Sequence, residues 1–389
     1  MSMLSLASNH RKVSNLPQSP LPHLPQDLIF SDILTRLPAK PLLRFQCVSK
    51  AWLAVISSPE FVKSHLDFHK NDEEDKVATF AATNDGLHLS LFSILAEEDQ
   101  CPTNCSSLKV PEVAIRYLGT HNGLLCFRGM DQKVVVCNPC TRKIKKIDDA
   151  PGWPSVGMYG FGYGQQNCDY KVVYACRTQT FNDYDVLVYS FRSGSWENIP
   201  NGLRAGIVYP NIGVHINGML NWSSSTMVAR DNWESKIVSF NLTTNSAVIL
   251  SGPKPERSGN ISLCESRGFL LASWFQRDKV SVWKMREFGV ENSWTKLACI
   301  QQLLPKPPRK TSTLTPIVVV ICNRVSLMYV MNNTNLVMKV GEHLRVYTPE
   351  DGKSKWKIEE CRPGNRGFKA ILFRETLAPP PCLSDEEQQ

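Results

Sequence analysis

Long apolar runs are missing from this chain of 389 residues. The longest lies near Ile317–Cys322, far short of the roughly 20 residues that a membrane helix needs, so no helical span and no membrane partner are expected. The first fifteen residues hold one brief apolar patch before His10, Arg11 and Lys12, which predicts no secretory leader. A large excess of one sign of charge is also lacking. The net charge is +8 with the basic residues scattered, so nothing points to nucleic acid. A disulfide framework is absent, although there are thirteen cysteines. Cys137 and Cys140 have CxxC spacing and Cys101 and Cys105 lie four apart, but neither a second matching pair nor a histidine pair completes four zinc ligands. No metal and no cofactor are expected, and reduced thiols fit the cytoplasm or the nucleus. No nucleophile elbow or zinc-protease helix is found, and acids occur singly on turns, so the expectation is a non-enzyme. Gly157-x-x-Gly160-x-Gly162-x-Gly164 has the spacing of a phosphate loop. A strand, Tyr170–Cys176, follows it where a helix N-terminus is needed, so it reads as a flexible entry loop between strands.

Helical signal is confined to residues 24–66. Ile29, Ile33 and Leu37 recur at i, i+4 and i+8 beside Leu28 and Leu34, which predicts a helix with one apolar side. Pro25 is tolerated at its start, Pro38 ends it, and Pro41 can open the next helix, because a helix's first N–H has no partner to lose. That second helix carries Leu42, Leu43, Phe45, Cys47, Val48, Trp52 and Ile56. Ser58-Pro59-Glu60 then supplies an N-cap, a proline at the first helical position and an acid in the first turn of a third helix. Three short helices with apolar residues on more than one side must cover them against the rest of the chain or against a partner.

The remainder divides by composition. Residues 1–22 are rich in Ser, Pro and Asn and read as a disordered arm, 68–76 as a charged connector, and 376–389 as a disordered acidic tail. Between them, from 77 to 375, short alternating runs are bounded by Gly, Asn, Pro or Asp, the pattern of many short strands. One unit repeats: VVVCNP around Cys137, VLVYSF around Tyr189, KIVSFNL around Phe240, KVSVWKM around Trp283 and LRVYTP around Tyr347. The centres are about 40–65 residues apart, near the period of propeller blades. Three following strands begin at Trp196, Trp294 and Trp356. Asn122-Gly123, Asn217-Gly218 and Arg267-Gly268 mark hairpin turns, since Asn and Gly accept positive φ. The expectation is a mainly β chain with a small α module, the β part being a propeller of about six or seven blades with Trp and Tyr between blades. A stacked β-sandwich is the alternative. Lys306-Pro307-Pro308-Arg309-Lys310 reads as an exposed loop rather than an import signal.

The helical stretch resembles an F-box. The carrying residues are Leu24-Pro25, Ile33-Leu34, Leu37-Pro38, Leu42-Leu43-Arg44-Phe45, Val48-Ser49-Lys50 and Trp52. Lys40-Pro41 departs from the small polar residue usual before the second helix. The β region resembles the kelch-like, F-box-associated domain of plant F-box proteins. It does so through HNGLLCF (121–127), VCNPCTRK (136–143), FGYGQQNCDYKVV (161–173), GMLNW (218–222) and VWKMREFGVENSWTKL (282–297). The resemblance implies an F-box at 23–67 that docks a Skp-family adaptor and, through it, cullin and RING subunits. Leu24, Pro25, Leu28, Ile33, Leu43, Val48 and Trp52 would supply the docking surface. It implies a non-catalytic specificity subunit of an SCF-type ubiquitin ligase, whose propeller captures a target protein for ubiquitination and proteasomal degradation. A non-degradative adaptor that binds the Skp partner is the alternative. An enzyme would instead need polar groups converging in one pocket.

The repeat also predicts which end of the propeller meets the target. First-to-second and third-to-fourth strand connections leave one end and are mostly tight. The opposite connections, 149–157, 177–184, 200–211, 223–235 and 300–313, are mostly longer, and long loops on a rigid scaffold carry recognition. They hold Trp153, Phe181, Tyr184, Tyr209 and Trp233, with Arg177, Arg204 and Arg230 close by, residue types enriched in interface hot spots.

Overall fold

The computed structural model describes residues 28–69, 76–83, 86–93, 108–110, 114–129, 131, 133–150, 157–179, 183–205, 212–229, 232–253, 261–276, 279–301, 325–331, 335–340, 343–347, 357–359 and 369–381. For residues 76–110 and 325–359 the description is of the backbone alone.

The chain opens with a π-turn over Ile29–Ile33 and a 3-10 turn over Leu34–Arg36, followed by α1 (Ala39–Phe45), α2 (Lys50–Ile56) and α3 (Pro59–Phe68). The expected single first helix is therefore wound wider. Leu34 N–H bonds back to the Ile29 carbonyl, five residues away, so the buried side falls on Leu34 and Thr35 and Ile33 turns outward. The long second helix expected from Pro41 to Ile56 is two helices. Ser49 breaks it by capping α2, its hydroxyl accepting from Trp52 N–H at 3.2 Å. Ser58 caps α3 through Phe61 N–H at 3.1 Å, with Pro59 at the first position. Among the described residues no helix is long and apolar enough to cross a membrane.

Strands then follow in chain order. β1 (Lys76–Thr83), β2 (Gly86–Ser93) and β3 (Leu108–Val110) belong to blade I. Blade II is β4 (Ala114–His121), β5 (Leu124–Gly129), β6 (Lys133–Asn138) and β7 (Lys143–Asp148). Blade III is β8 (Gly157–Gly164), β9 (Asp169–Arg177), β10 (Asp183–Ser190) and β11 (Ser195–Arg204). Blade IV is β12 (Val214–Ile216), β13 (Met219–Ala229), β14 (Asn232–Asn241) and β15 (Ser246–Ser251). Blade V is β16 (Ile261–Ser266), β17 (Phe269–Gln276), β18 (Lys279–Met285) and β19 (Trp294–Gln301). Blade VI is β20 (Val325–Met331), β21 (Asn335–Val340), β22 (His343–Tyr347) and β23 (Lys357–Glu359). The last strand, β24 (Lys369–Leu372), returns to blade I and pairs with β1, Val77 opposite Leu372 and Phe80 opposite Lys369. Among the described residues the sheets are six, each of four antiparallel strands. First strands of successive blades are neighbours: β4 with β8, β8 with β12, β12 with β16, β16 with β20, β20 with β24. Phe373, just past β24, packs on Tyr117, Leu125 and Phe127 of blade II, which closes the ring. This is the β-propeller with the lower of the two expected blade counts.

Local chemistry explains the hairpins. Asn122-Gly123, Asn217-Gly218 and Arg267-Gly268 all have positive φ at both residues, the primed turn that matches strand twist. The outer hairpins share another device. The chain NH of Arg142, Gly194 and Asn245 bonds back to the carbonyl of Asn138, Ser190 and Asn241, at 2.8, 2.9 and 2.9 Å. Asn138 Oδ1 accepts from Cys140 N–H at 2.8 Å, and Asn241 Oδ1 from Thr243 N–H at 2.7 Å. These positions end the repeated unit seen in the sequence.

The blades are tied by indoles. Trp196 Nε1 donates to the Asp148 carbonyl at 3.0 Å, Trp294 Nε1 to Ser251 at 3.2 Å, and buried Trp222 Nε1 to Tyr159 at 3.1 Å. Each crosses from one blade to its predecessor, so the aromatic positions expected between blades are there. Trp356 lies outside the described residues. The glycine run 157–164 is a correction: it is not an entry loop but β8 itself, the first strand of blade III. A Cβ on Gly160 would sit 2.8 Å from Leu220 Cδ1, so glycine there lets blade IV press directly on the strand.

Candidate functional site

Two surfaces are candidates, one on the helical module and one on the propeller. In the helical module Leu34, Ala39, Leu42, Ile56, Phe61 and Val62 are buried. Other large apolar groups of the module stay in water: Leu28 is 47% exposed, Ile33 45%, Val48 65% and Leu53, in α2, 47%. Exposed apolar residues gathered on so small a module mark a surface built to be covered. Leu43 is half-buried against the module's core. Trp52 is also half-buried, held edge-on between Phe30 at 6.0 Å and Phe45 at 5.6 Å. Of the expected docking residues, then, Leu28, Ile33 and Val48 face outward, while Leu43 and Trp52 shape the module behind them. Leu24 and Pro25 lie outside the described residues.

The module sits at the tight-turn end of the propeller. Leu377 and Ala378, which follow β24, belong to the same buried cluster as Leu34, Leu42 and Ile56. Thr376 Oγ1 donates to the carbonyl of Asn122, in a tight turn of blade II, at 2.7 Å. Lys40 of α1 pairs with Glu375 at 2.9 Å. Residues 376–381 were expected to be part of a disordered tail, and the structure corrects this. Thr376, Leu377 and Ala378 are buried because they fill the seam between the two modules. The apolar Leu377-Ala378 pair within a Pro-rich tail was the available signal.

Of the remaining candidates, Arg177, Tyr184 and Arg204 are described, at the other end of the propeller. Arg177 ends β9 and Arg204 ends β11, so both flank residues 178–182 at this end of blade III. Arg204 Nε pairs with Asp183 Oδ1 at 2.9 Å and stays 82% exposed. Tyr184 is a correction: at 3% exposure it packs with Met158, Val186 and Leu203 inside the blade and offers no ring to a partner. Alternation along β10 places it on the buried side, and residues 183–184 are strand rather than loop. Residues 223–235 are also not a long loop. β13 and β14 extend as a hairpin, with Trp233 opposite Met227 and Ala229 opposite Asn232. The Trp233 side chain, Trp153, Phe181, Tyr209 and Arg230 lie outside the described residues. At the root of the 149–157 connection, Arg128 Nε grips Asp149, whose carboxylate is almost wholly buried and whose Oδ1 accepts from Ala150 N–H at 2.9 Å.

Buried titratable groups serve the fold. Burial pushes the Cys137 thiol up to about 12 and holds Cys126 well above its usual value. Histidines dispersed in sequence meet in space: the rings of His121 and His215 are 4.2 Å apart. Burial lowers His215 to about 4 against the opposing effect of its hydrogen bond to Tyr163 O, at 3.0 Å. Burial, His215 and Arg374 together lower His121. Among the described residues no three His, Cys, Asp or Glu side chains are placed to hold a metal ion.

Comparison with known proteins agrees with this geometry. Residues 21–64 match the F-box domain, and residues 87–358 match the F-box associated beta propeller domain. An F-box/kelch-repeat protein of Arabidopsis thaliana is 26% identical over 374 residues, spanning 90% of this chain and 95% of the relative. F-box protein CPR1 of Arabidopsis thaliana is 27% identical over 350 residues, spanning 81% of each. An F-box/LRR-repeat/kelch-repeat protein of the same plant is 26% identical over 295 residues, spanning 70% of this chain and 75% of the relative. The two matched domains stand in the order of the two modules, and this chain belongs to the F-box proteins that carry an F-box associated β-propeller.

Proposed function

We propose that this chain is the substrate-recognition subunit of an SCF-type ubiquitin ligase. The observation that carries the reading is a set of exposed apolar side chains, Leu28, Ile33 and Val48, on an F-box whose other apolar residues, Leu34, Leu42 and Ile56 among them, are already buried. That exposed set docks a Skp-family adaptor, which brings cullin and RING subunits. The propeller end away from the F-box captures a target protein. Arg177 and Arg204 stand at that end, and Trp153, Phe181, Tyr209, Trp233 and Arg230 complete the proposed surface. Tyr184 supports it from within. The chain itself does no chemistry. It raises the effective concentration of the target beside the charged ubiquitin enzyme, and the target is ubiquitinated and degraded. Reduced thiols suit the cytosol or nucleus as its place of action.

The test is a reconstituted ligase with targets captured by an F-box-deleted chain, which holds them without handing them on. Alanine at two or more of Trp153, Phe181, Trp233 and Arg204 is expected to lower target capture while adaptor binding stays intact. A captured target that is never ubiquitinated would replace this reading with that of a non-degradative adaptor. Loss of capture by tight-turn variants alone would place the target on the wrong end.

A further inference from the structure

Seven residues, 69–75, lie between α3 and β1. An attachment point far along the chain from the covalent connection restricts how one module can turn on the other. The segment after β24, residues 373–381, has the contacts of such an attachment, and it lies outside both matched domains. We propose that this C-terminal strap is a clamp that sets the orientation of the F-box on the propeller, and thereby the geometry in which a bound target is presented.

The strap grips the propeller at three points. Phe373 is buried in the core of blade II. Thr376, 1% exposed, donates to the Asn122 carbonyl at 2.7 Å. Asn138, fully buried, donates through Nδ2 to the carbonyls of Thr376 at 3.0 Å and Ala378 at 2.7 Å. The two ends of that one side chain do different work. Its Oδ1 closes the outer turn of blade II, the task that Asn241 performs in blade IV, while its amide is spent on the strap. The glycine of the neighbouring turn makes room: a Cβ on Gly123 would lie 2.5 Å from both Arg374 O and Thr376 Oγ1. On the other side the strap holds the F-box. Leu377 and Ala378 share its buried cluster, and Glu375, 7% exposed, pairs with Lys40 of α1 at 2.9 Å. A buried amide making two hydrogen bonds, a buried apolar pair and an ion pair between a buried carboxylate and a partly exposed lysine all act on residues 375–378. Leu28, Ile33 and Val48 take part in none of these contacts, so clamping and adaptor docking can occur together.

The part of the inference that concerns target presentation rests on the ligase reading, and the clamp itself does not. Two variants test it in the full chain. Asn138→Asp keeps the oxygen that closes the turn and sets an acceptor against the strap carbonyls. Ending the chain after Arg374 removes the part of the strap that reaches Asn122, Asn138 and the F-box but leaves Phe373 and the β24–β1 closure. Paired labels at Lys63 on α3 and Thr244 on blade IV report the inter-module distance by electron resonance or single-molecule fluorescence. The parent is expected to give one narrow distance and both variants a broad distribution. Hydrogen exchange should speed up about tenfold or more in α1 to α3 with β4–β7 still protected. Adaptor affinity should stay within about twofold, because the docking face is untouched. Target ubiquitination should fall several-fold at unchanged target affinity. A narrow distance retained in both variants overturns the clamp. Broad distances with an unchanged ubiquitination rate overturn its role in presentation. A parent that binds adaptor and target but never transfers ubiquitin counts against the ligase reading, and the distance measurement still decides the clamp.

Discussion

Replacing Leu28, Ile33 and Val48 together by alanine separates docking surface from core. In the free chain about half of each side chain is already in water: 47%, 45% and 65% exposed. Burying a whole aliphatic side chain is worth roughly 1.5–3 kcal/mol, so the portion left for a partner to cover is worth about half of that each. Summed over three residues, and allowing for the Cβ that alanine keeps, the expected loss is about 2–4 kcal/mol of binding, or roughly 30- to 1,000-fold in Kd. By the same bookkeeping the buried halves cost the F-box a comparable amount of stability, so binding is compared only among variants shown to be folded. Leu42, fully buried, is the contrasting position, where alanine should cost about 2–5 kcal/mol of F-box stability. The assay is calorimetric titration with a purified Skp-family adaptor, with thermal unfolding and circular dichroism run on each variant. A folded triple variant that binds within about threefold of the parent would refute the assignment of this face.

Trp222→Ala should destabilise the propeller by about 3–5 kcal/mol, because the ring is buried between blades III and IV and its loss leaves the Tyr159 carbonyl without its indole donor. Urea unfolding measures it, and a change below about 1 kcal/mol would contradict the packing argument. Acid should weaken the fold through the histidine pair. His215 has its pKa near 4 in the fold against 6.5 unfolded, so its contribution is complete above 6.5 and is lost as pH falls towards 4. Between roughly pH 7.5 and 5 this one residue accounts for about 2 kcal/mol, and His121 acts in the same direction. Thermal midpoints followed across that range should fall with pH, and a flat profile would refute the burial of neutral rings. Chelator should leave the unfolding midpoint unchanged, as Cys137 lies in an apolar cluster with Cys140 packed against it. Stoichiometric zinc by elemental analysis would overturn that expectation.

Local interactions made much of this protein legible from sequence. An Asn-Gly turn needs only two residues that tolerate positive φ, and an N-cap needs only a hydroxyl three residues before the N–H it accepts from. Hence the hairpins at Asn122 and Asn217, the cap at Ser58, the blade period and the F-box pattern could be read directly. Ser49, which splits the second helix, carried the same kind of signal as Ser58. What the tertiary structure alone decided was non-local. The blade count depends on β24 pairing with β1 across almost the whole chain, and nothing near Lys369 encodes that partner. Tyr184 reads as a loop aromatic until the strand's register turns it inward. Ile33 and Leu34 are chemically alike, and a wider backbone turn chose which of them faces water. The strap owes its place to Asn122, Asn138 and Lys40, residues more than two hundred positions away. Pattern within a window sets turns, caps and alternation. Closure of the ring and the seating of one module on another come from surfaces that meet only once the chain has folded.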